Sequence, residues 1–145
     1  MRVLIAPDPI NRGFDYMLAK IAEIQQVKSD IIDILAEAME NKTETALTLE
    51  NLEAEHKMEI QGLLANDNEV KTQKSADLRN SLANVKVASL ALKVHHARID
   101  AFVADGYLSL VRHFYSGAEQ LSATISQQLE LVKLYYEQHN KTGEK

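Results

Sequence analysis

Between Asp15 and Gln61 the sequence contains neither glycine nor proline. Within this stretch a stripe of positions recurs at alternating steps of four and three, which keeps it on one face of an α-helix. The stripe comprises Met17, Ile21, Ile24, Lys28, Ile31, Leu35, Ala38, Lys42, Thr45, Leu49, Leu52 and His56. Two helices joined by a loop would have no reason to share one register. The pattern therefore predicts a single helix over residues 14–64, with a weak point at Asn41–Thr43.

The segment LLANDNEV, residues 63–70, predicts the end of this helix. Asn66, Asp67 and Asn68 tolerate turn conformations, and their side chains can cap a following helix. The negative charge of Glu69 suits a helix N-terminus. We therefore expect a second long helix over residues 69–116, folded back on the first.

Two stripes of apolar residues run along this second helix. The histidine stripe comprises Leu78, Leu82, Val85, Ser89, Leu92, His96, Ile99 and Val103. The alanine stripe comprises Val87, Leu90, Val94, Ala97, Ala101, Ala104, Leu108, Val111 and Tyr115. Together they make an apolar face wider than a two-stranded seam needs, which predicts contact with more than one neighbour. One neighbour is the first helix, and the other is a C-terminal helix or a second subunit.

Glycines divide the rest of the chain. Gly106 continues the histidine stripe, so the second helix is expected to pass through it with a bend. Ser116-Gly117 predicts a firmer break, followed by a third helix over residues 118–139. Residues 1–13 are expected to form an N-terminal extension, and residues 140–145 a frayed tail. The fold class is thus all-α, a single domain built as a long antiparallel, coiled-coil-like hairpin with a shorter C-terminal helix.

A hairpin that turns near residue 67 places His56 opposite Leu78, and His96 opposite Ala38. Both histidines are expected to be partly buried seam residues rather than metal ligands. The sequence contains one Glu-x-x-His motif, at Glu53–His56, whereas carboxylate-bridged di-metal bundles use two. We predict no catalytic residues, no metal site and no cofactor, because a helical hairpin offers no deep pocket and no nucleophile elbow or phosphate loop is present.

Composition narrows the remaining function classes. The chain has no cysteine, which excludes disulfides, zinc fingers and thiol nucleophiles. No apolar run reaches the length of a membrane span, and the N-terminal MRVLIAPDP is too short for a signal-peptide core. A cytoplasmic protein without membrane partners is expected.

Charge is unevenly distributed along the chain. Residues 1–70 carry 6 Lys/Arg and 14 Asp/Glu, a balance of −8, whereas residues 71–116 carry 7 basic and 3 acidic residues, a balance of +4. Two readings stay open. The helices neutralise each other when they pack, or the basic stretch contacts an acidic partner. In the second case single-stranded nucleic acid would be bound through cations and neighbouring rings, namely Lys86, Lys93, Arg98, Arg112, His113 and Phe114.

Three segments carry a resemblance to known proteins: TLENLEAEHKMEIQGLLANDNEVK, RIDAFVADGYLSLVRHFYS and SATISQQLELVKLYY. Their order resembles that of small helical proteins encoded by bacteriophages, including the recombination-mediator type that helps to load a strand-exchange protein onto single-stranded DNA. The resemblance implies a homo-oligomer that touches DNA through basic residues, here Lys86, Lys93, Arg98 and Arg112.

Two functions are therefore expected. The first is a non-enzymatic oligomerisation or adaptor protein that contacts itself and a protein partner. Its interface would be the part of the alanine stripe left exposed, with residues Ala97, Ala101, Ala104, Leu108 and Val111. The second is a single-stranded DNA-binding accessory protein that uses a basic face of the second helix.

Overall fold

Two long helices supply most of the structure, which is a computed structural model that describes residues 13–143. Helix α1 spans Gly13–Asn66 and helix α4 spans Ala88–Gly143. The short helices α2, Asn68–Lys71, and α3, Ala76–Lys86, connect them. The described residues contain no strand, so the chain is all-α and forms an antiparallel helical hairpin. Residues 1–12 of the predicted extension, and residues 144–145, lie outside the described part.

Helix α1 confirms the prediction made from its unbroken stripe. It begins and ends within two residues of the predicted bounds, and it continues through the polar residues 41–45. The threonines there bond back to the preceding turn. Thr43 Oγ1 donates to the carbonyl of Met39 at 2.9 Å, and Thr45 Oγ1 donates to that of Asn41 at 2.8 Å. Their hydroxyl groups are therefore satisfied without interrupting the helix.

The chain divides into two compact units, and both long helices contribute to each. The first unit contains residues 13–37 of α1 and residues 109–143 of α4. Met17, Ile24 and Ile125 form its core, with Ile21, Leu121 and Leu129 packed around them. The rings of Phe14 and Tyr136 stack with their centres 5.2 Å apart. Residues from the start of α1 thus contact residues near the end of α4, as antiparallel packing requires.

The second unit contains residues 38–108. Within it, Lys42 forms an ion pair with Asp105, and Arg98 donates to Glu53 Oε1 from Nε at 2.9 Å and from Nη2 at 2.8 Å. These two pairs place the midpoint of the hairpin near residues 73–76, not near residue 67 as the sequence indicated. Consequently His56 does not lie opposite Leu78, nor His96 opposite Ala38.

The displaced midpoint has a local cause in the caps between α1 and α3. Asp67 caps α2 by accepting from the Val70 amide at 3.0 Å, and Ser75 caps α3 by accepting from the Leu78 amide at 3.2 Å. Between them, the Thr72 hydroxyl group and the Gln73 amide group both donate to the Glu69 carbonyl. The chain therefore leaves the helical conformation at residues 72–75. The prediction of one continuous helix over 69–116 is wrong here, and wrong again at Val87, a turn residue between α3 and α4.

The predicted break at Ser116-Gly117 is also wrong, because α4 runs through both Gly106 and Gly117 to Gly143. A third, separate helix over 118–139 therefore does not exist, and residues 140–143 are helical rather than frayed. The reason is the apolar pattern beyond the glycine: Ala118, Ile125 and Val132 recur every seven residues and are buried. Their burial outweighs the cost of about 1 kcal/mol that glycine carries inside a helix.

Candidate association surface

The alanine stripe forms the buried side of α4. Ala97, Ala104, Leu108 and Val111 are all buried, and Ala101 is half-buried. In the second unit, Ala97 and Asp100 lie beside Asn41, Thr45 and Thr48 of α1. The small side chains let the two helices approach closely at this level. These five residues were the predicted interface, and the structure corrects that assignment, because a partner cannot reach side chains that the chain itself covers.

The histidine stripe, in contrast, faces outward. Leu92, Ile99 and Val103 are 56%, 47% and 60% exposed, and His96 between them is exposed as well. Phe102, which lies beside this stripe, is 80% exposed. Apolar residues on both sides of one helix are typical of a helix that is covered on both sides. The alanine stripe, predicted as the interface, is therefore buried, and the histidine stripe, predicted to lie in the seam with the first helix, is exposed.

The helical repeat explains this separation. Leu92 and Ala101 are nine residues apart, which corresponds to about 180° around an α-helix of 3.6 residues per turn. Once the alanine stripe packs on α1, the Leu92–Val103 segment of the histidine stripe must point away from α1. Two sequence signals favoured this arrangement. The alanine run suits a close helix–helix seam, and charged residues, Lys93 and Asp100, flank the other stripe.

The end of the second unit is held by a three-membered ion pair cluster. Lys86 Nζ lies 2.9 Å from Asp67 Oδ2 and 2.8 Å from Glu69 Oε2. The hydrogen bond from Lys86, together with the Val70 amide, lowers the pKa of Asp67 below its ordinary value of 3.8. Hydrogen bonds to Glu69 and Asp67 raise the pKa of Lys86 above 10.5. This cluster joins α2 to α3, and with them the buried residues Val70 and Ala83.

The predicted nucleic-acid contacts do not form one basic face. Lys86 is engaged by Asp67 and Glu69, and Arg98 by Glu53. Within the described part of the chain Lys93 and Arg112 make no ion pair. Lys93 and Arg98 are five residues apart and so project about 140° apart around α4. The ion pairs agree with the reading in which the acidic and basic halves of the chain neutralise each other.

His113 and Phe114, the remaining predicted contacts, line a groove in the first unit. The groove has a volume of about 420 Å³, and Val27, Ile31 and Leu121 form its apolar walls. Nearby, the ammonium group of Lys28 lies 5.9 Å from the ring centre of Tyr115. The groove is apolar, with one imidazole at its edge.

The remaining histidine of interest, His56, is half-buried as predicted, and its Nε2 has no hydrogen-bond partner among residues 13–143. His96 was also expected in the seam, but it lies on the exposed side of α4. Residues 13–143 hold no group of three or more His, Asp or Glu side chains placed to bind a metal ion. No helix in the same range has the length and apolar character needed to cross a membrane.

Comparison with protein-family models, with curated proteins and with solved structures finds no match for this chain.

Proposed function

We propose that this protein is a non-enzymatic helical assembly protein that acts through protein–protein contacts, and first of all through contacts with copies of itself. The observation that carries the proposal is the exposed segment Leu92–Val103 of the histidine stripe on α4. Four large apolar side chains there, with Phe102 the most exposed, lie within about three helical turns. Burying them against a partner would remove apolar surface from water at about 25 cal/mol per Å².

The rest of the chain supports an assembly role over a chemical one. Among the described residues near this segment, Lys86 and Arg98 are paired with carboxylates, and Lys93 is isolated. This part of α4 therefore presents apolar side chains rather than a row of positive charges. A reducing, cytoplasmic compartment is part of the proposal, and the lack of cysteine suits it. An origin in a bacteriophage, which the resemblance of three segments implies, belongs to the same proposal.

Light scattering on matched variants tests this function. The wild-type protein is expected to show a mass above the 16.3 kDa of one chain. Val103→Glu places a charge at the C-terminal end of the exposed segment and should return the mass to that of one chain, with the helix content by circular dichroism unchanged. Met58→Glu makes the same change at a 71% exposed side chain of α1 in the same unit and should leave the assembled mass intact.

A wild-type protein that stays at the mass of one chain, or an assembly that Val103→Glu and Met58→Glu affect equally, would contradict the proposal. In the first case the exposed stripe is not a self-association surface. In the second case association would depend on general surface charge and not on this segment of α4.

The alternative, an accessory protein for single-stranded DNA, would use Lys93 and Arg112, the two predicted contact cations that make no ion pair within residues 13–143, together with the exposed ring of Phe114. Stacking on such a ring and pairing with phosphates are the usual means by which proteins bind single strands. Against it, Lys86 and Arg98 would have to leave carboxylate partners before they could contact a phosphate.

A further inference from the structure

We propose that the exposed segment of α4 pairs with the same segment of a second copy, antiparallel and about a two-fold axis. This inference rests on the proposed function and specifies its partner and geometry. A two-fold dimer uses one surface patch on both subunits, so the patch must be complementary to itself. Between Ser89 and Gly106, the apolar residues, the charged residues and the small residues are each arranged so that two copies of the segment complement each other.

The apolar residues define the alignment. In the three–four repeat, His96 and Val103 occupy one core position of the heptad, and Leu92 and Ile99 occupy the other. An antiparallel pair of helices alternates these two positions across its seam. Leu92 then packs against Val103 of the second copy, and His96 against Ile99 of the second copy, and symmetry repeats each contact. All four side chains are exposed in the single chain and would be covered.

The charges select this alignment. Lys93 and Asp100 flank the stripe on the same side, seven residues apart, and neither forms an ion pair with any residue in the range 13–143. In the antiparallel pair, Lys93 of each copy lies beside Asp100 of the other, which gives two equivalent ion pairs. On the opposite flank, His95 lies beside the strongly exposed Phe102 of the other copy. One alignment therefore matches both flanks.

The ends of the segment also fit each other. The same alignment places Ser89 of one copy opposite Gly106 of the other. Within its own chain, a Cβ atom added at Gly106 would meet nothing within 4 Å, so no contact inside the chain calls for a glycine there. Two small residues opposite each other let the paired helices stay close at both ends of the contact.

A parallel pairing fits less well. It would place His96 against His96 of the second copy and would move Lys93 away from Asp100, since flanking residues of parallel helices pair across different heptad positions. The two ion pairs would be lost. The antiparallel arrangement is therefore the one that the charge pattern supports.

Charge reversal at these two positions gives the sharpest test. In Lys93→Glu homodimers, two carboxylates face each other at two places, and in Asp100→Lys homodimers, two ammonium groups do so. Each variant alone should dimerise about tenfold more weakly than the wild type, because exposed pairs contribute up to about 1 kcal/mol each. A mixture of the two variants contains only opposite charges across the seam and should form heterodimers with wild-type strength. The control Lys57→Glu alters an exposed lysine of α1 and should dimerise normally.

Cross-linking then reports the direction of the helices, and the lack of cysteine in the chain makes the assay clean. A mixture of Leu92→Cys and Val103→Cys chains should form a disulfide-linked dimer of unlike chains, and neither variant alone should cross-link efficiently. Efficient cross-linking of Leu92→Cys with itself would indicate parallel helices and overturn the inference. A mixture of charge variants that fails to associate, while the wild type does, would also overturn it and leave the proposed function standing. A monomeric wild type would overturn both.

Discussion

Ile99 and Leu108 lie nine residues apart on α4 and therefore on opposite sides of the helix. Leu108 is 2% exposed, whereas Ile99 is 47% exposed, although either side chain alone would suit a hydrophobic core. The first belongs to the alanine stripe that packs within the chain, and the second to the histidine stripe that faces outward. Under the proposed function, Leu108 contributes to folding of the single chain and Ile99 to association with a second copy.

Matched truncations of these two residues should have different effects. Leu108→Ala removes a fully buried side chain and should lower the free energy of unfolding by about 2–5 kcal/mol. Ile99→Ala should change the stability of the single chain by less than about 0.5 kcal/mol, because the side chain is about half exposed and lies on the side of α4 opposite the buried Leu108. Urea unfolding followed by circular dichroism, at a concentration where the protein is monomeric, measures both. Equal losses for the two variants would show that both sides of α4 are buried in the folded chain.

Gly117→Ala tests whether α4 is continuous. A Cβ atom at this position meets nothing within 4 Å, and Gly117 does not adopt a positive φ. Alanine should therefore raise the free energy of unfolding by about 1 kcal/mol, the difference between the two residues inside a helix. If the chain instead turned at Ser116-Gly117 with a left-handed glycine, the same substitution would destabilise the protein. Thermal unfolding of wild type and variant distinguishes the two outcomes.

Asp67→Asn isolates the ion pair cluster between α2 and α3, because asparagine caps a helix about as well as aspartate does. The pKa of Asp67 is lowered in the folded state, so its contribution to stability is present above the ordinary value of 3.8 and is lost as pH falls through the lowered folded value. The variant should therefore be less stable than the wild type at pH 7 and equally stable at strongly acidic pH.

The raised pKa of Lys86 gives a contribution to stability with the opposite pH dependence. Its contribution is present below pH 10.5 and is lost as pH rises through the raised folded value. Stability curves of wild type and Asp67→Asn that run parallel over the whole pH range would mean that the cluster does not couple the two charges.

Binding to single-stranded DNA should be absent or weak. Fluorescence anisotropy with a labelled oligonucleotide at low and moderate salt measures it, because phosphate contacts release counterions and weaken steeply with salt. Tight binding at low salt that falls with rising salt, and that is lost in Lys93→Glu but kept in Lys57→Glu, would favour the nucleic-acid alternative over assembly.

Much of the helical framework could be predicted from the sequence, because long-range phase is a strong signal. The stripe from Met17 to His56 predicted α1, including its passage through Thr43 and Thr45. The Asn-Asp-Asn run predicted its end. The break at Gly117 was predicted wrongly, because a glycine destabilises a helix by less than the burial of Ala118 and Ile125 stabilises it. That burial depends on the helix packed against α4, which the local sequence does not show.

The candidate association surface could be predicted as a pattern but not as a location. Both stripes of α4 have the same repeat and similar apolar content, so the sequence does not determine which one packs on α1. The position of the hairpin turn, which depends on the caps at Asp67 and Ser75, sets which residues of α1 and α4 lie at the same level. Asp67 was anticipated as a cap, but the second cap at Ser75, eight residues later, shifts the midpoint and with it every pairing between α1 and α4.

Sedimentation velocity of the wild-type protein over a dilution series tests the central claim most directly. The claim is that the outer side of α4 is covered by a second copy. A mass that rises from 16.3 kDa at low concentration toward twice that value, with no larger species, is the predicted result. A single species of 16.3 kDa at every concentration would contradict the account.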